Sequence, residues 1–257
     1  MQSSEVNLNY IWQFKYKNYQ SATAFQESYN VSMKTLHSGG FNSPEWLGKQ
    51  KGMLANASEG SLPRPSSITE FLLRQKFDNL LDWGGGPGWI WAYLLKTNLH
   101  GQLNYFNLEL ESSKLAFEYL TQYLPRMKFV DFGEITSLAH ENNLLYGNSI
   151  LQYFDDNSVL LKIIKEISPI SIVLDDIAGH EEEFFSLQNY YGFLQVNRFL
   201  NLNKLISEVV GLGYKLSVNR PYEKNFSATM IPKIWIGAGE SVEFEAPSSV
   251  TLVFDRI

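Results

Sequence analysis

The residues with the clearest chemical potential lie in one short stretch, where an apolar run reaches an acid and then a cluster of glycines. They have the spacing D-x-G-x-G-x-G with one further glycine, and they are Asp82, Gly84, Gly85, Gly86 and Gly88. Glycine lets the backbone turn sharply and approach a ligand closely, because it has no Cβ and tolerates positive φ. Pro87 stands where a helix would begin, and its missing N–H costs nothing there. A strand, an acid, a glycine turn and a helix N-terminus predict a site for the polar end of a nucleotide-type cofactor.

The order of these residues separates two classes of cofactor. Dinucleotide dehydrogenases use G-x-G-x-x-G with no acid before it, and Trp89 stands where the third glycine of that spacing would be. The acid before the glycines instead resembles the first motif of the class I S-adenosylmethionine-dependent methyltransferases. The resemblance implies that the cofactor is S-adenosylmethionine, bound by Asp82 and the glycine turn.

The same resemblance assigns two further acids. Glu109, at the end of the next strand, corresponds to the acid that binds both ribose hydroxyls, a task that suits a carboxylate because it accepts two hydrogen bonds. Glu111, two positions on, is a second candidate for that contact. Asp131, followed by Phe132, corresponds to an acid near the adenine, and a surface turn acid is the alternative interpretation.

A narrower resemblance covers residues from about 80 to 220. The segment Leu145–Tyr153 is similar to the S-x-L-Q-Y segment of a methyltransferase family of bacterial surface-polysaccharide gene clusters. In that family the fifth strand ends in an aspartate, here Asp175, and a hydroxyl-x-Gln element and an arginine follow, here ending at Gln188 and Arg198. We expect Asn148 to contact the cofactor. Tyr153 could form a wall of the acceptor pocket, with core packing as the alternative, and we expect the nearby polar groups of Gln188 and Arg198 to contact the acceptor.

Methyl transfer to a hydroxyl group calls for a base. His180 is the first candidate, because it follows the fifth strand and its ordinary pKa lies near neutrality. Asp175 is the second candidate, and a solvated loop histidine is the alternative interpretation of His180. Asp175 and Asp176 could also hold a metal, but adjacent strand residues face opposite ways, so we expect no metal site.

Strands and helices alternate along the chain after the glycine turn. This alternation predicts an α/β, Rossmann-like class I methyltransferase fold: a mainly parallel seven-stranded sheet with helices on both faces and an N-terminal extension. We expect a long functional loop from Asp175 to Arg198. The first strand of the sheet ends at Asp82. The six predicted strands after the turn are 103–108, 127–130, 144–147, 170–174, 214–218 and 250–254, and the predicted helices there are 88–97, 113–124, 157–167 and 201–210.

Two parts are expected, an N-terminal extension over residues 1–65 and an S-adenosylmethionine-binding methyltransferase domain over 66–257. The extension has a strand-like alternation at 10–16 and helical spacing afterwards, and it serves either as packing or as a lid over the site. Ser67 and Glu70 fit a capping box that starts the first helix of the second part.

Composition narrows the function further. The chain has 257 residues, a formal net charge of −6 and no cysteine, which excludes disulfides and cysteine nucleophiles. The charge offers no footprint for nucleic acid, so we expect a small-molecule or saccharide acceptor. No apolar run is long enough to span a membrane and the N-terminus is not signal-like, so the expected compartment is the cytoplasm. The oligomeric state is left open, with a homodimer as one option.

Three hypotheses follow. The first is an enzyme that transfers a methyl group from S-adenosylmethionine to a hydroxyl of a small molecule or saccharide, by O-methylation. The second is a catalytically degenerate subunit that binds the cofactor and scaffolds or regulates a partner enzyme. The third is a nicotinamide oxidoreductase, which binding of NADH without binding of S-adenosylmethionine would favour.

Overall fold

The computed structural model describes residues 12–33, 41, 43–62, 66–109, 114, 117, 123–139, 142–190, 193–222, 234–236, 240–242 and 248–257. The helices in these ranges are α1 (Tyr19–Ser32), α2 (Pro44–Ser58), α3 (Ile68–Arg74), α4 (Trp89–Lys96), α5 (Ser158–Ile167) and α6 (Leu202–Val210). The strands are β1 (Trp12–Tyr16), β2 (Asn79–Trp83), β3 (Asn104–Leu108), β4 (Met127–Val130), β5 (Asn143–Asn148), β6 (Ser171–His180), β7 (Phe184–Tyr190), β8 (Phe193–Asn201), β9 (Tyr214–Pro221), β10 (Ile234–Ile236), β11 (Glu240–Val242) and β12 (Ser248–Arg256).

Seven of these strands form the core sheet, in the order β4-β3-β2-β5-β6-β12-β9. Strands β2 to β6 pair in parallel, and β12 runs antiparallel to both of its neighbours. The central strand β2 is buried along its whole length, as a parallel strand covered on two faces must be. The predicted mainly parallel, seven-stranded sheet is therefore confirmed.

Helices cover both faces of this sheet. One hydrophobic cluster joins the sheet to α5 and α6 and to a short 3-10 turn at Ile135–Leu138. The cluster on the opposite face joins it to α2, α3 and α4. The ends of the parallel strands carry the glycine turn after β2, and this is the edge at which ligands bind in sheets of this kind.

The prediction of a long loop from Asp175 to Arg198 is wrong, because the chain forms strands there. Strand β6 continues to His180, and β7 and β8 form an antiparallel hairpin. The apolar positions of that hairpin alternate, and they bury Phe185, Leu187 and Val196 against α1. The hairpin continues into β1, β10 and β11, and the last two residues of β6 pair with the end of β8.

The N-terminal helix α1 also covers an edge of the hairpin. The side chain of Asn30 donates to Leu194 O at 2.9 Å and accepts from Leu194 N at 3.0 Å. Gln26 accepts a further hydrogen bond from Val196 N at 2.9 Å. These side chains satisfy strand groups that would otherwise remain open to another chain. The strand predicted at 10–16 and the helical spacing after it correspond to β1 and α1.

Two predicted helix starts differ from the structure. Ser67 makes no capping hydrogen bond with its side chain, so the predicted capping box does not form. Its backbone N–H donates instead to Asp175 Oδ2 at 2.8 Å, which ties α3 to the core sheet. Helix α4 begins at Trp89 with Gly88 as its N-cap, two residues after Pro87. Among the described helices, none is long and apolar enough to cross a bilayer.

Candidate active site

The glycine turn leaves the end of β2 in a conformation that only glycine adopts easily. Gly84, Gly86 and Gly88 have φ values of +75°, +57° and +75°. Side chains with a Cβ rarely occupy this left-handed region. Gly85 is required for space, because a Cβ at that position would lie 2.6 Å from Asp82 Oδ2. The turn therefore depends on its glycines both for backbone shape and for close packing.

Two residues of the neighbouring strand hold this turn in place. Asn107 in β3 donates from its side chain to Gly86 O at 2.7 Å, and Gly86 N donates to Glu109 Oε1 at 2.8 Å. The Glu109 carboxylate thus stands at the end of β3 beside the turn. This is the position predicted for an acid that binds a ribose diol.

Asp82 lies under the turn and is only 1% exposed. The hydroxyl of Tyr105 donates a short hydrogen bond to Asp82 Oδ2. Burial raises the pKa of Asp82 to about 7; the hydrogen bond from Tyr105 opposes this rise and the charge of Glu109 adds to it. Asp82 can therefore change its charge near neutral pH when a ligand brings a charge close to it.

The turn opens into a cavity of about 400 Å³, a size typical of sites for small ligands. Among its described lining residues, the only charged side chains are those of Asp82 and Glu109, and none is lysine, arginine or histidine. The full described lining is Phe41, Trp46, Gln50, Met53, Asp82, Trp83, Gly84, Gly85, Gly86, Trp89, Leu108, Glu109, Phe132, Tyr146, Asn148, Ser149, Ile150, Tyr153, Phe154 and Gln195. Such a cavity favours a ligand that carries positive charge near the turn and an apolar ring elsewhere.

The end of β5 forms another wall of the cavity. Asn148 donates to the hydroxyl of Tyr146 at 3.2 Å, while its side-chain oxygen is buried and accepts no hydrogen bond from the described residues. Burial and the nearby carboxylate of Asp175 raise the pKa of Tyr146 well above its ordinary value, so its hydroxyl stays neutral. The open acceptor on Asn148 is suited to a donor on a bound ligand.

The structure brings most of the predicted cofactor residues together. Asp82, Gly84, Gly85, Gly86, Glu109 and Asn148 all line the cavity. Gly88 does not line it, and a Cβ there would lie 2.7 Å from Met127 Sδ. Asp131 is exposed and accepts hydrogen bonds from Gly133 N and Glu134 N within its own turn, whereas its neighbour Phe132 lines the cavity. Glu111 lies outside the described residues.

Asp175 is not among the described residues that line the cavity. It lies in a closed polar pocket. It is fully buried, and it accepts hydrogen bonds from Thr251 Oγ1 at 2.7 Å and from Ser67 N. Burial raises its pKa, and these donors oppose the rise. A shift in the pairing between β6 and β12 leaves two residues of β6 opposite one, and Asp176 has a φ of +55° there. Both aspartates are buried at this bulge, and Asp176 accepts hydrogen bonds from Ser249 Oγ at 2.6 Å and from Ser149.

His180 also stands apart from the described lining. It is partly exposed at the end of β6, where its Nδ1 accepts from Glu182 N at 3.0 Å and its ring packs against Phe184. The geometry therefore gives no support to His180 or Asp175 as the base.

The three predicted acceptor residues lie in different surroundings. Tyr153 lines the cavity, and Gln188 lies behind it with Oε1 3.4 Å from the Tyr153 hydroxyl. Arg198 is fully buried and donates to the side chain of Asn157, with Glu183 Oε2 3.9 Å away. Burial lowers the pKa of Arg198, and its carboxylate neighbours oppose this. Only Tyr153 is placed for direct contact with a ligand in the described cavity.

Several residues in or beside the cavity were not predicted from the sequence. Asn107 precedes Glu109 by two positions, so it shares a strand face with that acid, and this spacing could have identified it. Trp46, Gln50 and Met53 follow helical spacing in α2, but nothing local shows that α2 lies over the glycine turn. Gln195 comes from β8, within the segment expected to be a loop.

Comparisons with known proteins show which solved structures share this fold. No family model matches the chain, and no curated protein matches it significantly. A solved structure described as a pericyclic reaction enzyme aligns with a TM-score of 0.50 at 15% identity, over 94% of this chain and 65% of that chain. The chain thus spans less than two thirds of that enzyme, and at this identity the likeness is one of fold alone.

Two further structures align with TM-scores below 0.5, and alignments at this level support no conclusion about this chain. One is the 1,6-didemethyltoxoflavin-N1-methyltransferase of Burkholderia thailandensis with S-adenosylhomocysteine, with a TM-score of 0.49, 11% identity, and 92% of this chain and 87% of that chain covered. The other is the magnesium protoporphyrin IX methyltransferase of Synechocystis PCC 6803 with bound SAM, with a TM-score of 0.47, 10% identity and both chains fully covered. The predicted α/β, Rossmann-like fold is confirmed by the core sheet with helices on both faces.

Proposed function

We propose that this chain is an enzyme that transfers the methyl group of S-adenosylmethionine to a hydroxyl of a small-molecule or saccharide acceptor. One observation supports the cofactor most strongly: the glycine turn, Asp82 and Glu109 meet in a cavity whose described lining holds two carboxylates and no basic side chain. S-adenosylmethionine carries a positively charged sulfur, whereas the diphosphate of a dinucleotide is anionic. The charge of the lining therefore favours the methyl donor over a nicotinamide cofactor.

The residues of the turn fit this cofactor. Glu109 accepts from the ribose diol, and the oxygen of Asn148 accepts from a donor on the bound molecule. Phe132 and the apolar Ile150 offer surfaces for the adenine ring. When bound, the cofactor supplies a methyl group on a good leaving group, and the protein aligns the acceptor with it.

The acceptor end of the cavity is aromatic. Phe41, Trp46, Tyr153 and Phe154 line it, with Gln195 as a neutral polar group. Aromatic faces and amides suit a ring with hydroxyl groups, such as a sugar. No described lining residue is histidine. In this proposal the protein therefore promotes O-methylation by aligning the acceptor hydroxyl with the methyl group, and the hydroxyl proton passes to water. Phe41 and helix α2 contribute to this wall, so this part of the N-terminal extension acts as the lid in the proposal.

A degenerate cofactor-binding subunit remains the second candidate. The observation that favours it is the position of both predicted bases outside the described lining. A fold alone does not decide the reaction, because many functions share one fold. The link to surface polysaccharides, a homodimer and a cytoplasmic location remain predictions.

This proposal is tested by adding the protein to cell extract, which supplies the acceptor, together with S-adenosylmethionine labelled in its methyl group. The wild-type chain should transfer the label to a small product, while a Glu109→Ala variant at the same concentration should transfer little. Cofactor binding without any labelled product would favour the second candidate. Label transfer that the variant leaves unchanged would contradict the assigned site.

A further inference from the structure

Helix α2 brings three large side chains to the cavity. Trp46, Gln50 and Met53 follow helical spacing, and each is 6 or 7% exposed. The helix is well anchored, because Ser43 caps it by accepting from Trp46 N at 3.0 Å and Met53 packs in one cluster with α4. The position of these side chains therefore follows from the fold.

Gln50 is the polar member of the three, and it lies directly over the glycine turn. A Cβ built on Gly86 would lie 3.0 Å from Gln50 Oε1. The Gln50 side chain is only 6% exposed and lines the cavity. Its amide therefore faces the space that a ligand would occupy, where it can hydrogen-bond to a polar group of that ligand.

The charges around the cavity indicate which polar group that is. The amino-acid end of S-adenosylmethionine carries a carboxylate as well as an ammonium group. Because no described lining residue is lysine, arginine or histidine, neutral donors must bind that carboxylate. Glu109 is tied to Gly86 N and, as an acid, repels a carboxylate. The Gln50 amide lies beside the turn, and its NH2 group can donate to that carboxylate.

We propose that Gln50 binds the amino-acid end of the cofactor, so that the N-terminal extension forms part of the cofactor site. This inference rests on the proposed function, because it assumes S-adenosylmethionine in the cavity. It also gives the extension a role distinct from acceptor selection: α2 closes over the cofactor itself.

Calorimetry with two ligands tests the assignment. S-adenosylhomocysteine keeps the amino-acid end, whereas methylthioadenosine lacks it and keeps the adenosine. Gln50→Leu, which is similar in size, should weaken binding of S-adenosylhomocysteine roughly tenfold to a hundredfold. Binding of methylthioadenosine should remain within about twofold of the wild type. Asn56→Leu removes an exposed amide from the same helix and serves as the matched control.

A second variant distinguishes a specific loss of binding from misfolding of Gln50→Leu. Gln50→Glu keeps the size and polarity but places a carboxylate against that of the ligand, so it should weaken only S-adenosylhomocysteine. Equal losses for both ligands, or no loss for either, would overturn the assignment of Gln50. A wild-type protein that binds neither ligand would overturn the proposed function instead, so the two failures are distinguishable.

Discussion

The buried carboxyl of Asp82 makes stability depend on pH in a direction opposite to that of most aspartates. Its pKa in the folded protein is about 7, raised by burial from an ordinary value of 3.8. This rise is roughly three units, and each unit corresponds to about 1.4 kcal/mol, so the whole effect is about 4 kcal/mol. Asp82→Asn replaces the titrating carboxyl group with an amide, whose oxygen can still accept the hydrogen bond from the Tyr105 hydroxyl.

The sign follows from the protons held by each state. Below about pH 4 the carboxyl is protonated in both states, and the favourable contribution is fully present. Between about pH 4 and pH 7 the unfolded chain has lost the proton while the folded protein keeps it, so stability falls as pH rises. Above about pH 7 both states are ionised and the difference is constant.

Urea unfolding at five pH values between about 4 and 8 measures this effect. The free energy of unfolding of the wild type should fall relative to that of Asp82→Asn by up to about 4 kcal/mol over the range. The carboxyl groups distant from Asp82 are common to the two proteins and cancel in the difference, whereas the coupling to Glu109 is part of the effect that is measured. A difference that does not vary with pH would refute the reasoning, since it would mean that Asp82 stays ionised in the folded state.

Three further substitutions test the packing and the site. Gly85→Ala should lower the free energy of unfolding by roughly 1 to 3 kcal/mol, because its Cβ would lie 2.6 Å from Asp82 Oδ2. Its control is Gly48→Ala in α2, where a Cβ would meet nothing within 4 Å, and urea unfolding should show a gain of up to about 1 kcal/mol. Asn30→Ala should cost roughly 2 kcal/mol in the same measurement, because it leaves the buried backbone of Leu194 without its partners. His180→Ala should leave the rate of methyl transfer within about twofold; a loss of a hundredfold or more would restore histidine as the base.

The glycine turn could be predicted from the sequence because its constraints are local. Positive φ at Gly84, Gly86 and Gly88 belongs to the motif itself, and the acid before it is part of the same short stretch. Glu109 could be predicted because parallel neighbouring strands bring their ends together at one edge of the sheet. The alternation of strands and helices likewise predicted the core sheet.

The remaining site residues depend on contacts between distant parts of the chain. Asp175 turns into a closed pocket because Thr251, from the last strand, pairs beside a bulge that no local pattern of β6 reveals. His180 moves away from the described lining because β6 continues into a second group of strands. Gln50 reaches the glycine turn only because α2 packs against α4, and helical spacing alone does not show which surface a helix covers.

Calorimetric titration of the wild-type chain with S-adenosylhomocysteine tests the central claim, a methyl-donor site at the glycine turn. Binding should be saturable at one site, roughly tenfold or more weaker in Glu109→Gln and unchanged in the exposed control Glu59→Gln. NADH should not bind measurably. Binding of NADH without binding of S-adenosylhomocysteine, or equal affinity in all three proteins, would contradict this claim.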